Sequence, residues 1–598
     1  MTIVSTALLD SASSLPVLLR GVIAAQPHRP AQWLRSEEGY LPVTYEQFDA
    51  RIRALACGLL RIGVKSGDRV AVLMENVPEW AVIDYAILSI GAVTVPMYCS
   101  YRPQDIAYVL QDSGAAVAIT SGGNLLRHLL TAADEAGGVK KIYALDCGHT
   151  QDPRLHELAE LQNPGDSASN EMAALDRRLA TVRRESLATL VYTSGTTGNP
   201  KGVMLSHGNI MANLEVVPHV IQLKQGDMML SFLPLAHALE RTGGHFLPYS
   251  FGLSVAFAER PDTVAKNLAE ARPTMLITVP RLLEVMQSRM LGQIAKQSPL
   301  ARGLFGHFLA LGKKSGTAPL SYFEQFRFNM LDRFVGRKVR ERFGGHLRVL
   351  ISGGAPLSPE VGSFFEALGL PVLEGYGMTE AAPLISVNPM QGRKIGSVGV
   401  PAHNAEVKLA GDGEILVRGP NVMVGYWKAR KESAEILADG WLHTGDIGRF
   451  DADGYLYITD RKKDLIVNSG GENIAPQRIE NLLIGDAMID QVVVYGDQKP
   501  YLVALVVPNR EACTAWAVEQ GLPESDWAHL CSSKVLRKML QTRIAAMLHP
   551  LNAFEQVRRI QLLDKHLSID EGLLTPTMKV RRRQVFDHFG DLLESLYR

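Results

Sequence analysis

The chain has 598 residues, 46% of them apolar and 21% charged, a balance that excludes a disordered, collagen-like or rod-like protein. Lys+Arg and Asp+Glu number 62 each, so no overall basic field points to nucleic acid. Cys57, Cys99, Cys147, Cys513 and Cys531 lack paired spacing; no disulfide framework or zinc site is expected, which fits a reducing, cytoplasmic compartment.

The N-terminus, MTIVSTALLDSASSLPVLLRGV, has no basic region before its apolar part. A cleaved signal peptide is not expected. No run of about 18 apolar residues occurs, so no transmembrane helix is expected either. RVAVLME (69–75) reads as a buried strand, PEWAVIDYAILSIG (78–91) as a helix, AVTVPMY (92–98) as a strand, DIAYVLQDSG (105–114) as a helix and AVAIT (116–120) as a strand. Such alternation predicts an α/β fold of parallel-rich sheets covered by helices. Residues 151–185 are polar, lack a clear period and read as an excursion before the next strand.

Segment 281–348 is basic, with thirteen Lys/Arg against four acids, and carries Phe305, Phe308, Tyr322, Phe323, Phe326 and Phe328. Two readings stand open. One is a solvated helical face over an apolar seam; the other is a surface that meets anionic lipid. Near residue 450 the pattern changes. Asp453-Gly454 marks a turn, strands are expected at 489–496 and 501–508, and helices near 509–520 and 532–548. The reading is a large N-terminal domain (1–459), a hinge (460–464) and a small C-terminal α+β domain (465–598).

The segment richest in chemistry is LVYTSGTTGNPKGVMLSH (190–207). Its glycines let backbone N–H groups approach an anion, its hydroxyls donate hydrogen bonds, and Lys201 adds a mobile charge. That suits a polyphosphate, though the spacing differs from the Walker loop.

YTSGTTGNPKGVMLSH resembles the signature of the adenylate-forming enzymes. FLPLAHALER (232–241), SGGAPL (352–357), EGYGMTE (374–380), GWLHTGD (440–446), DRKKDLIVNSGGENIAP (460–476) and TPTMKVRR (575–582) follow in the family's order. SGGENIAP, TPTMKVRR and the basic segment before SGGAPL look like the long-chain fatty acyl-CoA synthetases. The resemblance implies two steps. A fatty carboxylate attacks the α-phosphate of Mg-ATP, and after domain rotation CoA takes the acyl group. An acyl-AMP ligase serving a carrier protein and a catalytically silent nucleotide-binding homologue are the alternatives.

By the same resemblance, Thr193, Ser194, Gly195, Thr196, Thr197, Gly198 and Lys201 would hold the β- and γ-phosphates of ATP. Gly353, Gly354 and Ala355, with Glu374, Gly375, Tyr376 and Gly377, would form the adenine site, Tyr376 stacking on the purine. Thr379 would contact the α-phosphate and Glu380 would bind Mg²⁺. Asp446 would accept from the ribose hydroxyls, with Arg461 beside it. His237 would gate and orient the carboxylate at the mouth of the acyl pocket. Lys579 would bridge carboxylate and α-phosphate during adenylation. Lys463 would be the hinge, and Gly470 and Gly471 would line the thiol tunnel. Val467 departs from relatives that carry Lys there. Arg581, Arg582 and Arg583 are expected to form a solvated basic face.

Overall fold

The computed structural model describes residues 6–37, 39–163, 168–193, 200–260, 263–316, 318–462, 464–470, 472–522, 526–575 and 579–598. It divides into two compact units. The first comprises Met1–Lys408, Leu416–His443 and Ala452–Leu456; the second comprises Leu409–Ile415, Thr444–Asp451 and Tyr457–Arg598.

Among the described residues, the first unit carries an eight-stranded and a nine-stranded sheet. In the eight-stranded sheet, Arg69–Leu73 lies between Val93–Pro96 and Val117–Gly122. Both pairings are parallel, Val70 standing opposite Thr94 and Val117. The alternation read between residues 69 and 120 is therefore present. Its helices are Pro78–Ser89 and Pro103–Ser113, the latter ended by Gly114 at φ 67°, a left-handed conformation that glycine adopts without strain. The nine-stranded sheet runs in parallel register from Ser254–Phe257 through Met228–Ser231, Met275–Thr278 and Val349–Ser352 to Val372–Gly377. One apolar core joins side chains of both sheets, among them Val70, Val72, Val255 and Met275, around Pro78–Ser89. That helix is buried on every side from Trp80 to Ser89, which is why this stretch is apolar on all faces except at Asp84 and the terminal Ser89.

The polar stretch 151–185 holds more order than its composition suggests. It contains the helices Leu158–Gln162 and Ala168–Leu179. Among the described side chains the second buries Leu175 and Leu179, with Met172 partly buried against the core. So narrow an apolar stripe gives little periodic signal.

In the second unit, Ile489–Tyr495 pairs antiparallel with Leu502–Pro508, and the latter pairs parallel with Val557–Leu562. Val492, Val494, Leu502, Ala504 and Val506 pack on one face with Pro476–Ile484 and Lys534–Leu548. Val493, Val503 and Leu505 pack on the other with Arg582–Ser595. Burial on both faces makes Leu502–Pro508 apolar throughout.

Candidate functional site

Leu187–Thr193 and Lys201–Ser206 form an antiparallel pair in which Thr193 stands opposite Lys201. Ser194, Gly195, Thr196, Thr197 and Gly198, between them, lie outside the described residues. Lys201 Nζ sits 5.2 Å from the centre of the Tyr426 ring, a cation–π distance. The Tyr426 hydroxyl donates to Glu380 Oε1 at 2.8 Å. Burial, then the adjacent carboxylate, raises the phenol pKa, so Tyr426 keeps its proton and remains the donor.

Local backbone pairing produces this arrangement. Gly425–Tyr426 is a short strand antiparallel to Lys201–Ser206. The N–H of Val424 donates to Met204 O at 3.0 Å, and that of Trp427 to Gly202 O at 2.8 Å. Glu380 is 8% exposed on the turn Thr379–Ala381. Its carbonyl accepts from the Met423 N–H at 2.8 Å, and Asn213 donates to Ala381 O at 3.0 Å. A carboxylate with a tyrosine donor, near a lysine ammonium, can serve a cation and phosphate oxygens.

SGGAPL and EGYGMTE leave the carboxyl ends of neighbouring parallel strands, Ser352 standing opposite Glu374. Ligands bind at such ends in α/β sheets. Gly353 and Gly375 approach closely, with the position a Gly353 Cβ would take lying 3.4 Å from Gly375 O. Gly354 has φ 83° and stands exposed beside Ala355. Tyr376 is half-buried and stands opposite Ser386. A Cβ at Gly377 would lie 1.9 Å from Pro383 O, so only glycine lets the strand pass there. Glu374 is buried and accepts the Gly396 N–H at 3.2 Å. Burial, only partly opposed by that bond, pushes its carboxyl up to about 7.

His237 is half-buried, and its Nδ1 accepts the Leu239 N–H at 3.2 Å. The rest of its motif is structural. Arg241 donates to Asp84 at 2.5 and 3.1 Å, His245 lies 3.1 Å from the same carboxylate, and all three are buried. Burial opposes ionisation of Asp84, but Arg241 and His245 outweigh it and hold its carboxyl at about 2. The cluster anchors the segment that presents His237.

The second unit holds the remaining candidates. Asp446 is 5% exposed, and Arg461 Nε lies 3.2 Å from its Oδ1. The Asp446 N–H donates to Thr444 Oγ1 at 3.1 Å and the Gly445 N–H to Glu414 at 3.0 Å. Lys462 bridges Glu414 at 2.9 Å and Asp412 at 2.6 Å. Asp460, also buried, has its carboxyl pushed up to about 7 by burial. Lys579 is exposed; its N–H donates to Thr575 Oγ1 at 3.0 Å, and its carbonyl accepts the Thr575 N–H at 2.8 Å. Gly470 lies between the paired strands Ile466–Val467 and Asn473–Ile474, and its N–H donates to Asn468 at 2.9 Å. Lys463 and Gly471 lie outside the described residues.

The expected solvated face at 581–583 needs correction. Arg582 forms two bonds with Glu480, at 2.8 and 2.5 Å, and the side chains are 13% and 8% exposed. The Val494 N–H donates to the same Glu480 at 2.7 Å. The ion pair fastens helix Arg582–Ser595 to helix Pro476–Ile484, which carries Glu480, whereas Arg583 is exposed.

Sequence reasoning missed Tyr426, Glu414 and Lys462. Tyr426 reaches Glu380 across 46 positions, and nothing in its GYW context signals that. Glu414 is hidden because it belongs to an ordinary strand, Glu414–Arg418, and Lys462, although inside a motif, meets it only through the fold.

The model of the family described as AMP-binding enzyme matches residues 19–427, and that of its C-terminal domain matches residues 463–598. The long-chain-fatty-acid–CoA ligase FadD15 of Mycobacterium bovis is 33% identical, across 93% of this chain and 92% of that protein. Long-chain-fatty-acid–CoA ligase 6 of Homo sapiens is also 33% identical, across 96% and 83% of the two chains. Among solved structures, the adenylation domain of a Mycobacterium chelonae carboxylate reductase superposes with TM-score 0.74 at 22% identity, covering 100% of this chain and 93% of that one. A benzoate CoA ligase from Burkholderia xenovorans gives 0.70 at 21%, covering 96% and 100%. These two likenesses concern the fold.

Proposed function

Because the chain belongs to the AMP-binding enzyme family, we propose that it activates a long-chain fatty acid with ATP and transfers the acyl group to CoA. The fatty carboxylate, already ionised at neutral pH, attacks the α-phosphorus, giving acyl-AMP and pyrophosphate. The CoA thiolate then attacks the acyl carbonyl and AMP leaves. The sulfur comes from the substrate, so no protein cysteine is required.

The arrangement of Lys201, Tyr426 and Glu380 carries this reading. Lys201, with Thr193 and the segment 194–198, would hold the β- and γ-phosphates. Thr379 would meet the α-phosphate. Glu380 fits one carboxylate ligand of Mg²⁺, its remaining ligands coming from phosphate oxygens and water; when bound, the ion would offset phosphate charge. Tyr376 and the glycines of SGGAPL would receive adenine, and Asp446 and Arg461 the ribose. His237 would orient the carboxylate. Lys579 would stabilise the charge that gathers as oxygen attacks phosphorus. Residues 1–459 and 465–598 would act as two domains about a hinge at 460–464 containing Lys463. Gly470 and Gly471 would lie on the path of the thiol.

The protein would work in the cytoplasm, in peripheral contact with an anionic membrane through segment 281–348. Among the described residues, no helix is long and apolar enough to cross a membrane.

Pyrophosphate exchange into ATP, driven by saturated acids of increasing length, tests the substrate class. Each buried methylene contributes about 0.8 kcal/mol, roughly fourfold in kcat/KM, until the pocket ends. A maximum at acetate or butyrate, or with benzoate, would refute the assignment.

A further inference from the structure

Within the first unit, helices Pro299–Ser315 and Tyr322–Leu331 present two different faces. Inward, Phe305, Phe308 and Leu311 are buried. Phe308 stacks on Phe328 with ring centres 5.5 Å apart at 11°. Outward, Phe323, Phe326, Met330 and Phe334 recur at intervals of three and four, the spacing of one helical face. They are 68%, 67%, 46% and 64% exposed. Tyr322 is completely exposed beside them, and Leu300 and Leu304 stand exposed on the other helix. Single exposed apolar residues are ordinary on a protein surface, but a row of large ones marks an interaction site.

Charge identifies what the row meets. All four acids of segment 281–348 are paired within it: Glu284 with Arg281, Glu324 with Lys314, Asp332 with Arg340 and Glu341 with Arg337. The net charge left is positive. Arg327 lies over the Phe323 ring at 5.6 Å, and Arg333 and Lys338 are exposed near Phe334. Aromatic side chains rimmed by cations match a bilayer with anionic headgroups. A second copy of the same face would set cation against cation.

We propose that this face seats on an anionic bilayer, with Phe323, Phe326 and Phe334 entering the acyl boundary while Arg327, Arg333 and Lys338 meet lipid phosphates. The inference gives residues to the membrane contact named above and rests on helix geometry, independently of the ligase chemistry.

Co-sedimentation of the full chain with phosphatidylcholine vesicles, with and without phosphatidylglycerol, tests it. Binding should favour the anionic vesicles and weaken with salt, since the Debye length falls from about 10 Å at 0.1 M to about 3 Å at 1 M. The triple variant Phe323→Ser, Phe326→Ser, Phe334→Ser should lower the partition onto vesicles by at least about tenfold at every salt concentration, even if each ring is only partly inserted. The triple variant Arg327→Gln, Arg333→Gln, Lys338→Gln should erase the preference for anionic lipid. Both should keep the parental melting temperature and pyrophosphate exchange with a soluble medium-chain acid in the absence of vesicles. Absent exchange in the parent would remove the ligase reading while leaving the vesicle result intact. Equal binding to neutral and anionic vesicles would overturn the proposal. So would an aromatic variant that binds like the parent, or one whose sole effect is to dissolve a dimer.

Discussion

Tyr426 joins two charged groups that stand far apart in sequence, reaching Glu380 with its hydroxyl and Lys201 with its ring. Tyr426→Phe keeps the ring and removes the hydrogen bond to the carboxylate. A bond to a charged group is worth about 1.5–3 kcal/mol, so kcat/KM for adenylate formation should fall roughly ten- to a hundredfold. The melting temperature should fall as well, because the bond is already made to the buried Glu380 in the resting protein. Parental kcat/KM in this variant would remove Tyr426 from the site. Glu380 and Lys201 were legible because each stands inside a motif; Tyr426 was not, because its meaning arises only when Gly425–Tyr426 pairs with Lys201–Ser206. Arg582 teaches the same lesson within one motif. Three successive arginines look alike in sequence, yet helix phase and register bury the second against Glu480. Arg582→Ala leaves a buried carboxylate uncompensated and should cost the second unit about 3–5 kcal/mol. Arg583→Ala should stay within about 0.5 kcal/mol. Denaturant unfolding of the two variants checks the contrast, and equal losses would contradict it.

At the scale of elements, the segment Glu240–Phe246 carries a buried carboxyl whose energetics set a pH signature. Glu240 is 1% exposed and accepts the Ser231 hydroxyl at 2.6 Å. Burial outweighs that bond and pushes its carboxyl up to about 8. The unfolded chain releases this proton near the ordinary glutamate value, about 4.3, while the folded chain retains it. Glu240 therefore makes stability fall as pH rises between about 4.5 and about 8. Melting curves of Glu240→Gln should lose that part of the slope. The same slope in parent and variant would contradict the buried, protonated carboxyl. Elements with a strong periodic or fully apolar pattern, such as Arg69–Leu73 and Leu502–Pro508, were readable from sequence because both faces are buried. Helix Ala168–Leu179 was not, because it buries just two leucines among the described side chains, too narrow a stripe to give a clear period.

For the whole molecule, the motifs stated the chemistry more fully than composition did. A neutral chain of average apolar content excludes classes of protein but selects no reaction. The order of seven motifs supplied the adenylate-forming resemblance, and the two family models, over residues 19–427 and 463–598, place the chain in the AMP-binding enzymes. The division of the chain into two units assigns Lys201, Glu380 and Tyr426 to one, and Asp446, Arg461 and Lys579 to the other. The proposed reaction needs both sets. Its most direct measurement follows a heavy-oxygen label placed in the carboxylate of a long-chain fatty acid. Attack of that oxygen on the α-phosphorus, followed by transfer of the acyl group to CoA, leaves labelled oxygen in AMP. The account predicts one labelled oxygen in AMP for each acyl-CoA formed, with unlabelled pyrophosphate. Label in inorganic phosphate together with ADP, or acyl-CoA formed beside unlabelled AMP, would contradict it.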